Sequence, residues 1–384
     1  MKPKIAIIGA GMGGLTVAAT LLRAGFDAEV YEQASRFTRL GAGIQMSPNA
    51  IKVLRTFDLE KDMRKIAFRP PGQFSREWNT GEILLKVPFG DTVEARYGAP
   101  YLLMHRGDLH LLLARCVPEA RIHLSKKLVD IDDRGNGVGL RFADGTTAEA
   151  DVVIGADGVH STVRTWMLGA EKPTYTGRVA YRTTFPAALL NGYEIDDCTK
   201  WWGPDRHIVI YYITRERDEV YFVTSVPEPE WTEESWSMKG DLGELRRAFE
   251  GFHPQVKAVL DACPDVHKWA INVREPLPQW SKGGVVLLGD ACHPMTPYMA
   301  QGAATSMEDA MVLTRCLLEI DSKAEIGSAF SRYERTRKAR TSKIQFHSHE
   351  NKWLHRNADT DWVYGYDAVT VPLAAKTEVS DSAA

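Results

Sequence analysis

The chain has 384 residues, of which 44% are hydrophobic and 25% are charged, as is usual for a globular protein. This composition excludes a disordered chain, a collagen-like fibre and a disulfide-stabilised scaffold. The 47 basic and 50 acidic residues give a formal net charge of −3, which does not point to nucleic acid or to an anionic membrane surface. At roughly 150 residues per domain, the length predicts two to three domains, or one large domain with an inserted lobe.

The cysteines and the apolar segments indicate the cellular setting. The five cysteines form no Cys-x-x-Cys pair and no regular framework, so we interpret them as reduced thiols of a cytoplasmic protein. No apolar run reaches the roughly 18 residues of a membrane span, and the first residues lack the long apolar region and cleavage site of a secretory leader. The sequence leaves a monomer and a homodimer both open.

The first thirty residues predict a βαβ unit. A short apolar run, Lys4–Ile8, fits a buried parallel strand. A helical pattern covers residues 15–24 and stops at Gly25, and a second strand is expected over residues 28–32. A unit of this length and order is the usual start of a dinucleotide-binding domain.

A glycine loop connects the first strand to the first helix with the spacing Gly9-x-Gly11-x-x-Gly14. Gly9 allows the tight turn, Gly11 lets a pyrophosphate approach the backbone at the helix N-terminus, and Gly14 allows the helix to pack closely on the strand. Glu32 follows 18 residues later, at the end of the second strand, where it can accept hydrogen bonds from a ribose. The pattern predicts a dinucleotide site.

Two later β-branched runs also end in Gly-Asp turns. Residues 151–154 lead to Asp157, and residues 284–288 lead to Asp290. Strands of a parallel sheet present binding residues at their C-terminal ends, so both carboxylates are expected to converge on one ligand. Contacts spread along the whole chain favour a flavin dinucleotide over NAD.

The region between these runs has a different pattern. It alternates apolar and polar residues, and residues 207–226 read as an antiparallel hairpin with a charged turn at 215–219. A β-rich second lobe is therefore predicted inside the dinucleotide-binding domain. Helices are expected over residues 304–320 and 328–352, and the small polar residues 372–384 are expected to fray.

Three ordered segments carry a specific resemblance: GAGMGG with YE (residues 9–14 and 31–32), DVVIGADGVHSTVR (151–164) and GGVVLLGDACHPMTPYMAQGAATSMEDA (283–310). Together they resemble the fingerprints of the single-component FAD-dependent aromatic hydroxylases, over essentially the whole chain. The resemblance implies an α/β fold like that of p-hydroxybenzoate hydroxylase. It has a Rossmann-like FAD-binding domain (1–175 and 275–322), an inserted antiparallel β-sheet substrate domain (176–274), a C-terminal helical segment (323–371) and a flexible tail (372–384).

The resemblance also assigns cofactor contacts. Glu32 would bind the adenosine ribose, Arg106 the flavin phosphate and ribityl region, and Asp290 the ribityl chain. Asp157 belongs to a motif shared between FAD and the pyridine nucleotide. Gly13 would lie under the pyrophosphate, and the peptide N–H groups of Gly302 and Ala303 would face the pyrimidine edge of the ring. The full predicted cofactor set is Gly9, Gly11, Gly13, Gly14, Glu32, Gln33, Gln45, Arg106, Leu128, Asp157, Asp290, Gly302 and Ala303.

The family chemistry implies NADH or NADPH as a transient electron donor and O2 as co-substrate. The reduced flavin captures O2 as a C4a-hydroperoxide, whose terminal oxygen passes to an electron-rich ring. The protein must keep this site dry and make the ring nucleophilic, which a Tyr or His beside a ring hydroxyl can do. No second Rossmann unit for the nicotinamide is visible in the sequence.

Residues 198–223, 37–50 and 362–367 are most similar to the branch of the family that acts on 6-hydroxynicotinate. That branch replaces the ring carboxylate with a hydroxyl, releasing CO2 and 2,5-dihydroxypyridine. The resemblance makes Tyr211 and His207 catalytic, with Tyr211 relaying the proton, and their i, i+4 spacing puts both on one face of a strand. The predicted substrate contacts are Gln45, Cys198, His207, Tyr211 and Tyr298.

Two positions depart from that branch, which carries histidine where this chain has Gln45 and Tyr298. Tyr298 is similar to the tyrosine of salicylate and 3-hydroxybenzoate hydroxylases, so a salicylate 1-hydroxylase or 3-hydroxybenzoate 6-hydroxylase activity stays open. A non-catalytic FAD-binding protein is the alternative from another class. No metal site is expected, because His347, His349 and His355 lack the spacing of a His-Glu-x-x-His motif.

Overall fold

The computed structural model describes residues 2–39, 42–231, 238–357 and 359–376. Within them the strands are Lys4–Ile8 (β1), Asp27–Tyr31 (β2), Gly43–Met46 (β3), Gly72–Glu77 (β4), Ile83–Pro88 (β5), Leu102–His105 (β6), Ile122–His123 (β7), Leu128–Asp133 (β8), Val138–Phe142 (β9), Thr147–Ala150 (β10), Val152–Gly155 (β11), Thr174–Pro186 (β12), Cys198–Trp202 (β13), His207–Tyr212 (β14), Glu219–Pro227 (β15), His267–Val273 (β16), Ser281–Lys282 (β17) and Val285–Leu287 (β18).

The α-helices lie between these strands and after them. They are Met12–Arg23 (α1), Pro48–Arg55 (α2), Leu59–Ile66 (α3), Gly90–Tyr97 (α4), Arg106–Ala114 (α5), Thr162–Leu168 (α6), Leu242–Ala248 (α7), Pro254–Ala262 (α8), Gly302–Leu318 (α9), Ile326–Glu350 (α10) and Asp361–Tyr364 (α11).

A six-stranded sheet with the order β17-β18-β11-β1-β2-β7 forms the dinucleotide-binding core. Its strands pair in parallel except for β17 with β18, as βαβ connections require. The predicted strands all occur, within a residue or two of their expected bounds. Helices α1 and α9 begin two or three residues earlier than predicted, because glycines that we read as loop form their first turns.

A seven-stranded sheet carries the predicted β-rich lobe, in the order β16-β12-β15-β14-β13-β4-β5. The hairpin of β14 and β15 is confirmed, with His207 opposite Ser225. Two features differ from the prediction. The strands β4 and β5 come from the segment assigned to the FAD-binding domain, and β13 pairs with β4 in parallel, so the sheet is not wholly antiparallel. The domain division itself stays a prediction.

Two smaller sheets connect these layers. The strands β8, β9 and β10 form an antiparallel sheet beside the six-stranded one, and β3 pairs with β6. The β3–β6 pair sets Gln45 opposite Leu103 and ends at His105, whose imidazole caps α5 by accepting a hydrogen bond from the Gly107 amide over 3.0 Å.

The C-terminal segment packs back onto the molecule through α10. The first residues of the predicted flexible tail are held in place: the Ala374 amide donates to Thr336 Oγ1 over 3.0 Å, and the Ala374 carbonyl accepts from Arg332 over 2.5 Å. The flexibility of the tail stays a prediction, and residues 377–384 lie outside the described part of the chain. Among the described helices, none has the length and apolar character needed to cross a bilayer.

Candidate active site

A cavity of about 410 Å³ opens between the glycine loop after β1, the start of α9 and one face of the seven-stranded sheet. Its volume falls in the range of roughly 300–1,000 Å³ that is usual for ligand sites. Among the described residues, its lining includes three cations, Arg106, Arg182 and Lys200, and one carboxylate, Asp290. The cavity is therefore suited to anionic groups, such as a diphosphate or a ring carboxylate.

The glycine loop has the geometry that its sequence predicts. Gly9 has φ +101°, and a Cβ there would lie 2.5 Å from the Ala156 carbonyl oxygen. A Cβ on Gly14 would lie 1.9 Å from the Gly9 carbonyl oxygen, so α1 packs on β1 at a distance that only glycine allows. Gly11 lines the cavity with nothing within 4 Å of a Cβ position, which leaves its backbone open to a ligand. Gly13 also lines the cavity.

Glu32 ties this loop to the end of β2. Its Oε2 accepts from the Ala10 amide over 2.7 Å, and its Oε1 accepts from the Ala34 amide over 2.8 Å. The half-buried carboxylate therefore lies beside the glycine loop, as a ribose contact requires. Glu32 does not itself line the cavity, and neither do Gln33 and Leu128. Gln33 is exposed, and the Leu128 side chain is buried in the core at the start of β8.

Asp157 does not point into the cavity, which corrects the expectation that both strand-end carboxylates converge there. Its Oδ1 accepts from Ser161 Oγ over 2.5 Å, and its Oδ2 accepts from the Thr162 amide over 2.7 Å. The carboxylate therefore binds the N-terminal turn of α6, where backbone N–H groups lack helical partners. The neighbours Ala156 and Gly158 line the cavity instead, so the turn contributes backbone rather than charge.

Asp290, Arg106 and the start of α9 meet at one end of the cavity. Gly302 and Ala303 begin α9 and line the cavity, so the unpaired N–H groups and positive end of the helix face it. A Cβ on Gly302 would lie 3.8 Å from Asp290 Oδ1. Enclosure within the protein raises the pKa of Asp290, although Arg106 opposes this shift.

A buried ionic network holds the turn that carries Asp290. Asp309 Oδ2 accepts from His293 over 2.5 Å and from the Gly289 amide over 3.3 Å, while its Oδ1 accepts from Arg337 over 2.7 Å. Arg337 also pairs with Glu308 over 2.7 Å. Burial raises the pKa of Asp309, but His293 and Arg337 outweigh it and keep that pKa below its ordinary value. The network fixes the turn at residues 289–293 against α9 and α10.

Tyr211 lies on the floor of the cavity. Its side chain is 2% exposed, and its hydroxyl is hydrogen-bonded to Gln45, whose Oε1 accepts from the Tyr101 hydroxyl over 2.5 Å. Burial and the neighbouring Tyr221 and Cys198 raise the pKa of Tyr211 well above 10, so the phenol stays protonated. Tyr211 can therefore donate a hydrogen bond to a ligand, and it cannot act as a pre-formed base.

Cys198 pairs with Tyr211 across β13 and β14 but has no exposed surface. Burial raises the pKa of its thiol, which stays protonated. The placement does not support the predicted substrate contact, because the buried thiol is not among the residues that line the cavity.

His207 and Tyr298 lie at the other end of the same sheet face. Their rings pack edge to face with centroids 5.2 Å apart, and the Tyr298 hydroxyl is 2.8 Å from Ser225 Oγ. His207 Nδ1 lies 3.2 Å from Asn351 Nδ2, and the amide can only donate in this pair. The imidazole therefore carries its proton on Nε2. Burial, with Lys200 and Arg178 nearby, lowers the pKa of His207 well below 6.5, so the ring is neutral.

Sequence reasoning missed two cations that line this cavity. Lys200 lies two residues after Cys198 on β13, so the strand period of two already assigned it to the same face. Arg182 on β12 stacks over the Trp269 ring at 4.2 Å. Periodicity could have identified Lys200, but nothing local indicated that its face would be covered.

Comparison with known proteins gives a consistent family. A family model described as an FAD binding domain matches residues 2–347. The chain is 47% identical over 374 residues to a 6-hydroxynicotinate 3-monooxygenase of Bordetella bronchiseptica, covering 97% of both chains. It is 33% identical over 356 residues to a 3-hydroxybenzoate 6-hydroxylase of Polaromonas naphthalenivorans, covering 90% of this chain and 86% of the relative.

A solved structure has the same fold. The HpxO protein of Klebsiella pneumoniae, in complex with FAD and uric acid, superimposes with a TM-score of 0.80 at 26% identity, covering 94% of this chain and 90% of the other. The glycine cradle, the open N-terminus of α9 and the cationic cavity wall fit a flavin dinucleotide. The chain belongs to the single-component FAD-dependent aromatic hydroxylases, and it is an FAD-binding aromatic-ring monooxygenase.

Proposed function

We propose that this protein converts 6-hydroxynicotinate to 2,5-dihydroxypyridine and CO2, using O2 and NADH or NADPH. The observation that carries the proposal is the 47% identity, over 97% of both chains, to relatives named for action on this ring. The cationic cavity supports it independently, because the substrate is a carboxylate and three cations line the cavity that would hold it together with the cofactor. A cytoplasmic location, and a monomer or homodimer, stay predictions.

The geometry of the site supports a set of cofactor contacts that we also propose. We assign the ribose of FAD to Glu32, the pyrophosphate to the open backbone at Gly11 and Gly13, and the phosphate and ribityl region to Arg106 and Asp290. The N–H groups at the start of α9 would stabilise negative charge at the pyrimidine edge. When bound, FAD supplies the redox chemistry that activates O2.

The protein's own contribution is to activate the ring through its hydroxyl group. In 6-hydroxynicotinate the hydroxyl lies para to the carboxylate, so electron density released at the hydroxyl reaches the carbon that loses CO2. The Tyr211 hydroxyl, held by Gln45, donates a hydrogen bond to that oxygen and stabilises its anionic form. Because the pKa of Tyr211 is raised, it passes a proton as a neutral donor in a relay and does not remove one as a phenolate.

The test is a substrate panel on the purified holoenzyme. NADH oxidation, CO2 release and product identity would be measured with 6-hydroxynicotinate, salicylate and 3-hydroxybenzoate in parallel. We expect fast oxidation coupled to stoichiometric CO2 and 2,5-dihydroxypyridine with 6-hydroxynicotinate alone. NADH oxidation that yields only hydrogen peroxide with this compound would contradict the proposal.

One observation favours a second candidate. Tyr298, which is similar to the tyrosine of salicylate and 3-hydroxybenzoate hydroxylases, lines the cavity with its hydroxyl beside Ser225. A coupled turnover of salicylate or 3-hydroxybenzoate in the same panel would assign the substrate to that branch. Loss of all ring-dependent NADH oxidation in an FAD-loaded protein would instead indicate a non-catalytic flavoprotein.

A further inference from the structure

The cavity contains a buried cation that has no counter-ion among the described residues. Lys200 is 3% exposed, yet it lines the cavity. Among the residues that the structure describes, no carboxylate forms an ion pair with its ammonium, and its hydrogen bond is a long one of 3.5 Å to Asn351 Oδ1. The ammonium also lies 3.8 Å from the centre of the Trp202 ring. Burying a charge in this way is costly unless a ligand compensates it.

Lys200 is separated from Arg182 by two intervening strands of the seven-stranded sheet. Lys200 pairs with Val209, Val209 with Val223, and Val223 with Arg182, so these four residues form one row across β13, β14, β15 and β12. Three strand spacings of about 4.8 Å separate the two ends of this row. The charges of Arg182 and Asp290 both act on the buried Arg106, so these three residues are close together. Arg182 therefore lies at the cofactor end of the cavity. Lys200 is left apart from the two arginines at the cofactor end, so it is available to the substrate and not to the FAD phosphates.

We propose that Lys200 binds the carboxylate of the aromatic substrate and thereby selects carboxylate-bearing rings over neutral ones. The inference deepens the proposed function and rests on it, because it assumes that the reacting ring carries a carboxylate. Two valines in the same row provide an apolar floor for the ring, and Lys200 provides the charge that the carboxylate needs.

Lys200 and Tyr211 lie on the same face of the sheet. Lys200 pairs with Val209, which is two residues before Tyr211 on β14, so the two backbone positions are diagonal neighbours roughly 7–8 Å apart. The Lys200 ammonium leans away from Tyr211, toward Trp202 and its partner His207. The ammonium and Tyr211 therefore lie on opposite sides of Val209 along β14. A ring over Val209 with its carboxylate on Lys200 would direct its para hydroxyl toward Tyr211.

Asn351 positions the ammonium. It ends α10 with φ +52°, a left-handed conformation that asparagine tolerates, and its amide lies between Lys200 and His207. Because an ammonium has no acceptor, Asn351 Oδ1 must face Lys200 and its NH2 group must face His207. An aspartate at this position would offer Lys200 a permanent carboxylate, in competition with the substrate.

The ionisation of Lys200 agrees with an anion site. Burial lowers the pKa of its ammonium from 10.5 to about 7, so a bound carboxylate would restore the proton at slightly alkaline pH. Carboxylate binding at pH 8 should therefore take up a proton. The ionisable groups close to Lys200 are His207, Tyr298 and His355. Two further charges act on these neighbours: Arg178 on His207, and Glu77 on His355.

The experiment is ligand titration of the oxidised holoenzyme without NADH, followed by the flavin absorbance spectrum and by calorimetry. The ligands are 6-hydroxynicotinate and its carboxamide, which have nearly the same shape but differ in charge, and in which an NH2 donor replaces one carboxylate oxygen. We expect Lys200→Met to weaken 6-hydroxynicotinate binding by on the order of 10- to 100-fold, the worth of a charged hydrogen bond. Binding of the carboxamide should change by less than about threefold. Lys86→Met, on the exposed side of β5, is the matched control and should change neither.

Two further variants make the result decisive. Asn351→Asp should weaken carboxylate binding in the same direction as Lys200→Met while leaving the carboxamide unaffected, which a merely structural lysine would not do. Equal loss of both ligands in Lys200→Met, or loss of carboxylate preference in Arg182→Gln with retention in Lys200→Met, would overturn the proposal. If the panel identifies another aromatic carboxylate as substrate, that acid and its amide replace the pair, so the Lys200 assignment is tested even if the ring is different.

Discussion

Lys200 makes the folded protein less stable than it could be, and the size of this cost can be worked out. Its pKa falls from 10.5 to about 7 through burial, which corresponds to on the order of 5 kcal/mol. Below about pH 7 the lysine is an ammonium in the folded and the unfolded chain, and the folded state bears the full cost. Between about pH 7 and pH 10.5 the folded state is neutral while the unfolded state keeps its proton, so the free energy of unfolding rises with pH.

The substitution Lys200→Met keeps an unbranched side chain of similar length and removes the charge. We expect the variant to be more stable than the wild type at pH 6.5, and this advantage to shrink by roughly 3 kcal/mol between pH 6.5 and pH 9.5. Urea unfolding of both holoenzymes at the same FAD concentration, followed by tryptophan fluorescence, measures the difference. Taking the difference cancels the titration of tyrosines and cysteines, which is common to both proteins.

Lys86→Met serves as the control, because Lys86 is exposed on the same sheet and its replacement removes no buried charge. Its stability relative to the wild type should not depend on pH. A Lys200→Met protein that is less stable than the wild type at pH 6.5, or whose advantage is constant with pH, would refute the reasoning. Either result would mean that other groups already compensate the charge of Lys200 in the folded protein, so that this charge does not need a ligand.

Five other substitutions test separate parts of the site. Gly14→Ala should lower the free energy of unfolding by about 1–3 kcal/mol, because its Cβ would lie 1.9 Å from a backbone oxygen. The Cβ of Gly11→Ala would meet no atom within 4 Å. This variant should leave the stability of the apoprotein unchanged in the same urea assay and should weaken FAD binding. Glu32→Gln should lower the FAD content of purified protein, measured from the ratio of flavin to protein absorbance; full occupancy would argue against a ribose contact. Tyr211→Phe should retain FAD, but its turnover should fall by a factor on the order of 10²–10⁴. The control Tyr212→Phe, on the opposite face of the strand, should turn over at nearly the wild-type rate. Equal rates for the two variants would make Tyr211 a packing residue.

Much of the cofactor half of this molecule follows from local sequence. Gly9 and Gly14 are required for the steric reasons that the spacing predicts, and Gly11 leaves its backbone open as predicted. Glu32 hydrogen-bonds to the glycine loop, as its position in the sequence suggested. These features are local because a βαβ unit brings its loop and second strand together within about thirty residues.

The substrate half is harder to predict because it depends on contacts between distant segments. Asp157 was expected in the cavity, but the N-terminal turn of α6, five residues further on, provides it with nearer donors. Lys200 shares a strand face with Cys198, yet the sequence does not show that α10 ends over that face at Asn351 and buries the lysine. Strands β4 and β5 could not be assigned to the large sheet, because their partner β13 lies more than a hundred residues away.

In the proposed reaction, one oxygen atom of O2 bonds to the ring carbon from which CO2 leaves. The most direct test is a single turnover of the reduced holoenzyme with isotopically heavy O2 and 6-hydroxynicotinate labelled at the carboxyl carbon. We predict that each 2,5-dihydroxypyridine formed carries one heavy oxygen atom and that one labelled CO2 is released with it. Unlabelled product, a product that keeps the labelled carboxylate, or hydrogen peroxide alone would contradict the account.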